Sequence, residues 1–258
     1  MTSDGAALAT VIAEYLGCAL ALCVVWRHHP RLPGPLLLRA LKQASAYQQL
    51  LRSNRHLFVR TVALLFGFAF FTAAGEKMGP QVLAANTLMM HLLLLAAYAM
   101  DGFAFAAEGL TGNRLGARDL AGFHAAVRRC SLWCAVTAAL LSLALLALQG
   151  PLLQILTDIE AVRIIMARYY PWLVLLPLAA APSYLLDGVF VGSAATRYMM
   201  STMLVSLLLV YLPLWYLTRD WGNHGLWFAF TMFNAARGVT LYLCYRQLNL
   251  QAGWLRVI

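Results

Sequence analysis

Residues 81–112 read QVLAANTLMMHLLLLAAYAMDGFAFAAEGLTG, and the only formal charges in the run are Asp101 and Glu108. A helix of roughly 20 apolar residues crosses the hydrocarbon core of a bilayer. The run is longer than that and continuously apolar, so it reads as a membrane-spanning helix. A transmembrane β-strand would alternate instead. The rest of the chain follows the same pattern. Of its 258 residues 62% are hydrophobic and 11% charged, against roughly 25% charged in an average soluble domain. A soluble globule of this length cannot hide so much apolar surface. Soluble enzymes, disordered chains and disulfide-rich secreted modules are thereby excluded.

Six further stretches resemble the first. The full set is Ala6–Trp26, His56–Ala74, Gln81–Gly112, Phe123–Leu148, Ala161–Ala195, Met199–Leu217 and Gly225–Tyr245. The fold class is an all-α polytopic membrane protein with about seven transmembrane helices. Between the first two spans, the turn-rich Pro30–Pro35 precedes an expected helix over Leu36–Leu51, where leucines beside Arg39 and Lys42 suit the membrane surface. The five cysteines lack CxxC spacing and read as small hydrophobes, so no metal centre or disulfide framework is expected.

The excess of 19 Lys and Arg over 10 Asp and Glu sets topology rather than recruiting nucleic acid. Fourteen bases fall on one side, beginning with Arg27, Arg31, Arg39, Lys42, Arg52, Arg55 and Arg60 and ending with Arg246 and Arg256. Four fall on the other: Lys77, Arg163, Arg168 and Arg219. The richer side is expected in the cytoplasm, with the C-terminus on that side and Met1 outside. A bacterial cytoplasmic (inner) membrane is the expected home, and the lipid bilayer the first partner.

Four acids and one base lie within spans: Glu14, Asp101, Glu108, Asp187 and Arg237. A charge in hydrocarbon costs roughly 3 kcal/mol or more, which makes these side chains functional candidates. At 1.5 Å per residue, Glu14, Asp101, Asp187 and Arg237 sit roughly 12–18 Å from the cytoplasmic ends of their helices. Four helices thus share one polar layer. In the third span Asn86, Met90, Leu93, Ala97, Asp101, Ala104 and Glu108 recur at steps of three and four and form one stripe. In the last span Asn234 and Arg237 share a face. A dry layer with three acids and one base keeps at least one carboxyl protonated, as ion-coupled transport requires. The competing reading is a static Asp–Arg pair that orients helices. Glu14 snorkels on that reading, and Glu108 pairs with Arg114 or Arg118 at the interface.

Pro171, Pro177 and Pro182 are expected to kink the fifth span and expose backbone polar groups near a central site. Gly188 and Gly192 form a GxxxG pair suited to close helix contact. GxSxG, HExxH and Walker motifs are absent from the sequence, and no enzymatic activity is expected.

Tyr98-Ala-Met-Asp-Gly-Phe-Ala-Phe-Ala-Ala-Glu108, followed by Gly112-Asn-Arg-Leu-Gly-Ala-Arg-Asp119, resembles the MATE (multidrug and toxic compound extrusion) family and its DinF-like branch. Tyr184-Leu-Leu-Asp-Gly-Val-Phe-Val-Gly192 and the ending around Arg237-Gly238 agree. The resemblance implies two six-helix lobes in the family. Residues 1–26 then resemble the last helix of the N-terminal lobe, 27–55 a basic cytoplasmic linker, 56–247 the six-helix C-terminal lobe and 248–258 a cytoplasmic tail. The family's first five helices have no counterpart in these residues. The implied activity is antiport of a cationic or amphipathic drug-like compound against H+ or Na+, with no cofactor. The implied site comprises Asp101 and Asp187 as carriers, tuned by Arg237, with Glu108, Glu14, Asn86 and Asn234 beside them. The alternatives are a fragment that does not transport, or a half-transporter that needs a separate N-terminal lobe.

Overall fold

The computed structural model describes residues 3–28, 44–251 and 253–254. It divides into two units, Met1–Gln49 and Leu50–Ile258. The first holds α1 (Ser3–His28), on which every described side chain is exposed. The expected turn at Pro30–Pro35 lies outside the described residues, as does residue 43 and everything before it in the expected surface helix. Residues 44–51 of that helix instead open a long α2 (Ala44–Glu76).

The second unit continues with α3 (Pro80–Gly116), α4 (Leu120–Ala147), the short α5 (Gln149–Leu156) and α6 (Glu160–Gly192). Then α7 (Thr196–Val205), a π-helical stretch (Ser206–Tyr211) and α8 (Leu212–Thr218) run as one rod. A single 3-10 turn (Arg219–Trp221) leads into α9 (Asn223–Leu250). Among the described residues, six helical rods are long and apolar enough to cross a membrane, and they include the first six expected spans. The seventh differs. Its helix, α9, has 28 residues, roughly 42 Å at 1.5 Å per residue. Length suffices, but Asn223, Thr231, Asn234 and Arg237 on its buried face make it less apolar than the other six.

Helix α6 sits at the centre and packs against α3, α4 and α9. Small residues allow this. A Cβ at Gly188 would overlap the carbonyl oxygen of Ala104, and one at Gly192 would overlap that of Glu108. The GxxxG pair thus brings the backbones of α3 and α6 into direct contact. Helix α6 runs without interruption through Pro171, Pro177 and Pro182. Neighbouring groups answer the carbonyls around the last of them. Ser183 Oγ donates to Ala180 O at 2.8 Å, and Cys134 Sγ approaches Ala181 O at 3.7 Å.

The irregular helix is the next rod instead. Pro213 has no N–H, and its ring presses on the carbonyl one turn back. The helix widens just upstream, and the Leu212 N–H reaches Leu207 O, five residues back rather than four.

The α3–α4 turn explains part of the Gly-Ala-Arg-Asp motif. Arg118 takes the left-handed conformation at φ 57°, and Asp119 caps α4 by accepting from the Gly122 N–H at 2.8 Å. Arg114 donates to the same carboxylate at 3.0 Å. The Gly122 N–H first, and then Arg114, hold the Asp119 carboxyl below its ordinary range.

The buried core forms two clusters. One packs Met89, Tyr170, Trp227 and Phe230; the other packs Met100, Phe123, Phe190 and Trp254. Along α3 the clusters change over between Leu93 and Met100, and along α9 between Phe233 and Leu241. Asp101 and Arg237 therefore lie where one apolar layer gives way to the other.

Candidate functional site: a charged cavity between two apolar layers

A cavity of about 330 Å³ opens at this level. Helices α2, α3, α6, α7 and α9 all contribute to its wall. Asp101, Glu108, Asp187, Asn234 and Arg237 line it, joined by Arg60 and Tyr184. Phe68, Phe105, Phe230 and Phe233 supply an aromatic wall.

The two aspartates are held differently. Arg60 and Arg237 both donate to Asp187 Oδ2, Arg237 from Nη2 at 2.9 Å. Arg237 is 4% exposed, and the Arg60 and Asp187 side chains are 19% and 13% exposed. Arg237 Nη1 also donates to Asn234 Oδ1 at 3.2 Å, while Asn234 Nδ2 donates to Phe230 O at 2.9 Å. The Arg237 guanidinium lies 5.7 Å from the centre of the Phe233 ring. Asp187 is thus fixed by two cations, one of them fixed in turn by its own helix. Asp101 faces the same cavity, within electrostatic range of Asp187, Arg60 and Arg237. Among the described residues its carboxylate has no hydrogen bond and no ion pair. Asp101 is therefore the open carboxyl of the charged layer, and Glu108, two turns further along α3, is a second unpaired carboxyl on the cavity wall among the described residues.

Of the expected site residues, the cavity gathers Asp101, Asp187, Arg237, Asn234 and Glu108. The expected ion pair of Glu108 with Arg114 does not form, because Arg114 turns to Asp119. Asn86 stands elsewhere on α3. It exchanges two hydrogen bonds with Asn223, at 2.8 and 3.0 Å, and accepts from Trp227 Nε1 at 2.9 Å. The stripe along α3 is real, but its first residue ties α3 to α9 rather than serving the cavity. Glu14 is exposed on α1, in the other unit. Within the second unit the charged layer consists of Arg60, Asp101, Asp187 and Arg237.

Arg60 is the residue that sequence reasoning misplaced. It was counted among the cytoplasmic loop charges, although it stands four residues inside the span His56–Ala74. That position was the available signal, since a base one turn into a span needs an acid to meet. Arg60 also changes the charge arithmetic. The expectation of three acids against one base becomes, at this layer, two against two, with Glu108 further along α3. Over the whole cavity, Glu108 included, the count is three acids against two bases.

The MatE family profile matches residues 57–217. DNA damage-inducible protein F of Escherichia coli is 35% identical over 250 residues, covering 96% of this chain and 54% of that protein. Protein DETOXIFICATION 44, chloroplastic, of Arabidopsis thaliana is 33% identical over 107 residues, covering 42% of this chain and 19% of that protein. Among solved structures, a mutant of the Vibrio cholerae MATE transporter VcmN superposes with a TM-score of 0.84 at 21% identity. The superposition covers 97% of this chain and 57% of that one, and shows the shared fold. The chain spans about half the length of the DinF protein it matches. A multi-pass helical membrane protein with this fold, this family profile and this likeness to DinF belongs to the MatE family.

Proposed function

We propose that these residues act as one half of a secondary active antiporter that extrudes cationic or amphipathic drug-like compounds against H+ or Na+. The observation that carries this reading is the division of labour in the cavity. Asp187 is engaged by two guanidiniums and has little left to offer a third cation. Asp101 shares the cavity with it and, among the described residues, lacks a protein partner. An open carboxyl beside that fixed pair accepts either the coupling ion or the cationic group of a substrate, and that competition couples one flux to the other. Arg237 and Arg60 act as positioning residues, keeping Asp187 and the α2–α6–α9 contact in place. The phenyl rings give the apolar body of a substrate a surface to lie on.

Alternating access needs two halves that move around a site. The working assembly therefore includes a second, N-terminal lobe, in the same polypeptide or a separate one. The assembly sits in a bacterial cytoplasmic membrane, with the basic loops and the C-terminus in the cytoplasm and the N-terminus outside. Transport rather than catalysis is its activity, and it needs no organic cofactor.

The test is efflux of a fluorescent lipophilic cation from proteoliposomes holding this chain with the N-terminal lobe of a relative, under an imposed pH or Na+ gradient. Asp101→Asn is expected to abolish gradient-driven efflux. Unchanged efflux in that variant refutes the carrier role. Absence of any efflux from the folded wild-type assembly favours the reading of a non-transporting fragment.

A further inference from the structure

Hydroxyls buried on these helices mostly find a carbonyl one turn back. Thr111 Oγ1 donates to Ala107 O at 2.7 Å, Thr231 Oγ1 to Trp227 O at 2.8 Å, and Thr202 Oγ1 to Tyr198 O at 2.9 Å. Two hydroxyls of the π-helical stretch break that pattern. Ser206 Oγ and Tyr211 Oη are buried and have no hydrogen-bond partner among the described residues, and both residues are wholly enclosed by protein. They stand five residues apart, the hydrogen-bonding repeat of a π-helix, and so share one face. A tyrosine side chain on a helix leans back toward the preceding turn, which aims Tyr211 at the turn carrying Ser206. The rings packed on Tyr211 are Phe233 at 5.2 Å and Phe70 at 5.5 Å, and neither offers an acceptor.

Buried polar groups in folded proteins are paired, with protein or with internal water, in the large majority of cases. We propose that the π-helical stretch is a binding site for an internal water that bridges Ser206 Oγ and Tyr211 Oη. Pro213 completes it. Without a proline N–H, the carbonyl of Leu209 loses its usual donor. Both side-chain donors are neutral and neither is a carboxylate, so the chemistry suits water rather than a metal ion. Phe230 and Phe233 line the charged cavity on one side and touch Tyr211 on the other. The water therefore lies behind the aromatic wall of that cavity, in a rod whose helical repeat changes midway.

Thermal unfolding of the full chain in detergent tests this with Ser206→Ala, Tyr211→Phe, the double variant and Ser206→Thr. A bridging water loses a partner in either single variant, so each lowers Tm by about 2–4 °C for every kcal/mol lost. The double variant then loses clearly less than the sum, because both changes remove the same bridge. Ser206→Thr keeps the hydroxyl and keeps the wild-type Tm. Single variants with unchanged or raised Tm, adding independently, mean a dry site and overturn the proposal. So does a wild-type Tm that rises in NaCl over choline chloride and loses that dependence in Ser206→Ala, which assigns the site to Na+.

Discussion

Replacing Asp187 with asparagine keeps the shape and an acceptor oxygen while removing the charge. Two guanidiniums now meet at one carboxylate oxygen. Without the carboxylate they face each other at roughly 5 Å, and at an effective dielectric of about 20 their repulsion is roughly 3 kcal/mol. Arg237, at 4% exposure, cannot turn to solvent. Removing one partner of a buried pair costs about 3–5 kcal/mol in general, and the two figures agree. For a unit of this size that lowers Tm by roughly 10 °C. The assay is thermal unfolding in detergent, in a background carrying Cys18→Ser, Cys23→Ser and Cys244→Ser, followed by a thiol-reactive dye that reports exposure of the buried Cys130 and Cys134. Asp101→Asn is the internal control. It breaks no ion pair, so its Tm stays near wild type or rises. Equal losses in both variants, or a loss below about 1 kcal/mol in Asp187→Asn, refute the doubly paired Asp187 on which the division of labour rests.

Further outcomes follow from other contacts. Gly188→Ala forces α3 and α6 apart and costs about 1–3 kcal/mol by overpacking, whereas Gly102→Ala meets open space and is neutral or stabilising; Tm in detergent separates the two. Asn86→Leu leaves Asn223 and Trp227 Nε1 without their partner and costs about 1–3 kcal/mol, read as a lower Tm with altered tryptophan emission. The Asp119 cap carries a pH signature. Its carboxyl is held below the ordinary range, so its stabilising effect is complete above that range and fades as acidity protonates it. Wild type should lose Tm on acidification more steeply than Asp119→Asn, and parallel curves contradict the cap. Scanning cysteines in a cysteine-free background, probed with an impermeant thiol reagent, should find the Arg114–Asp119 turn on the cytoplasmic side and Lys77 outside.

Much of this arrangement could be read directly from residue order. The first six spans, the α3 stripe and the GxxxG contact need only hydropathy and helical spacing, which act locally. Asp101, Asp187 and Arg237 stand out because hydrocarbon makes every charge conspicuous. The failures came from long-range partners. Asn86 looked like a cavity residue because its helix face was right, yet its partners Asn223 and Trp227 lie 137 and 141 residues away. Arg60 looked like a topology signal because loop counting assigns every base near a span end to water, whereas Asp187 draws it inward across 127 residues. The π-helical stretch had one local cause, Pro213, whose effect on the turn before it went unread.

Cation exchange at Asp101 is the centre of this account. Its most direct test is binding of tetraphenylphosphonium to the assembled protein in lipid nanodiscs, in weak buffer with a pH dye and a Na+ electrode. Wild type is expected to release about one H+ or one Na+ for each cation bound. Asp101→Asn is expected to release neither, while Asp187→Asn, if folded, still does. Full release from Asp101→Asn, with none from a folded Asp187→Asn, would place the exchange at the wrong carboxyl and contradict the account.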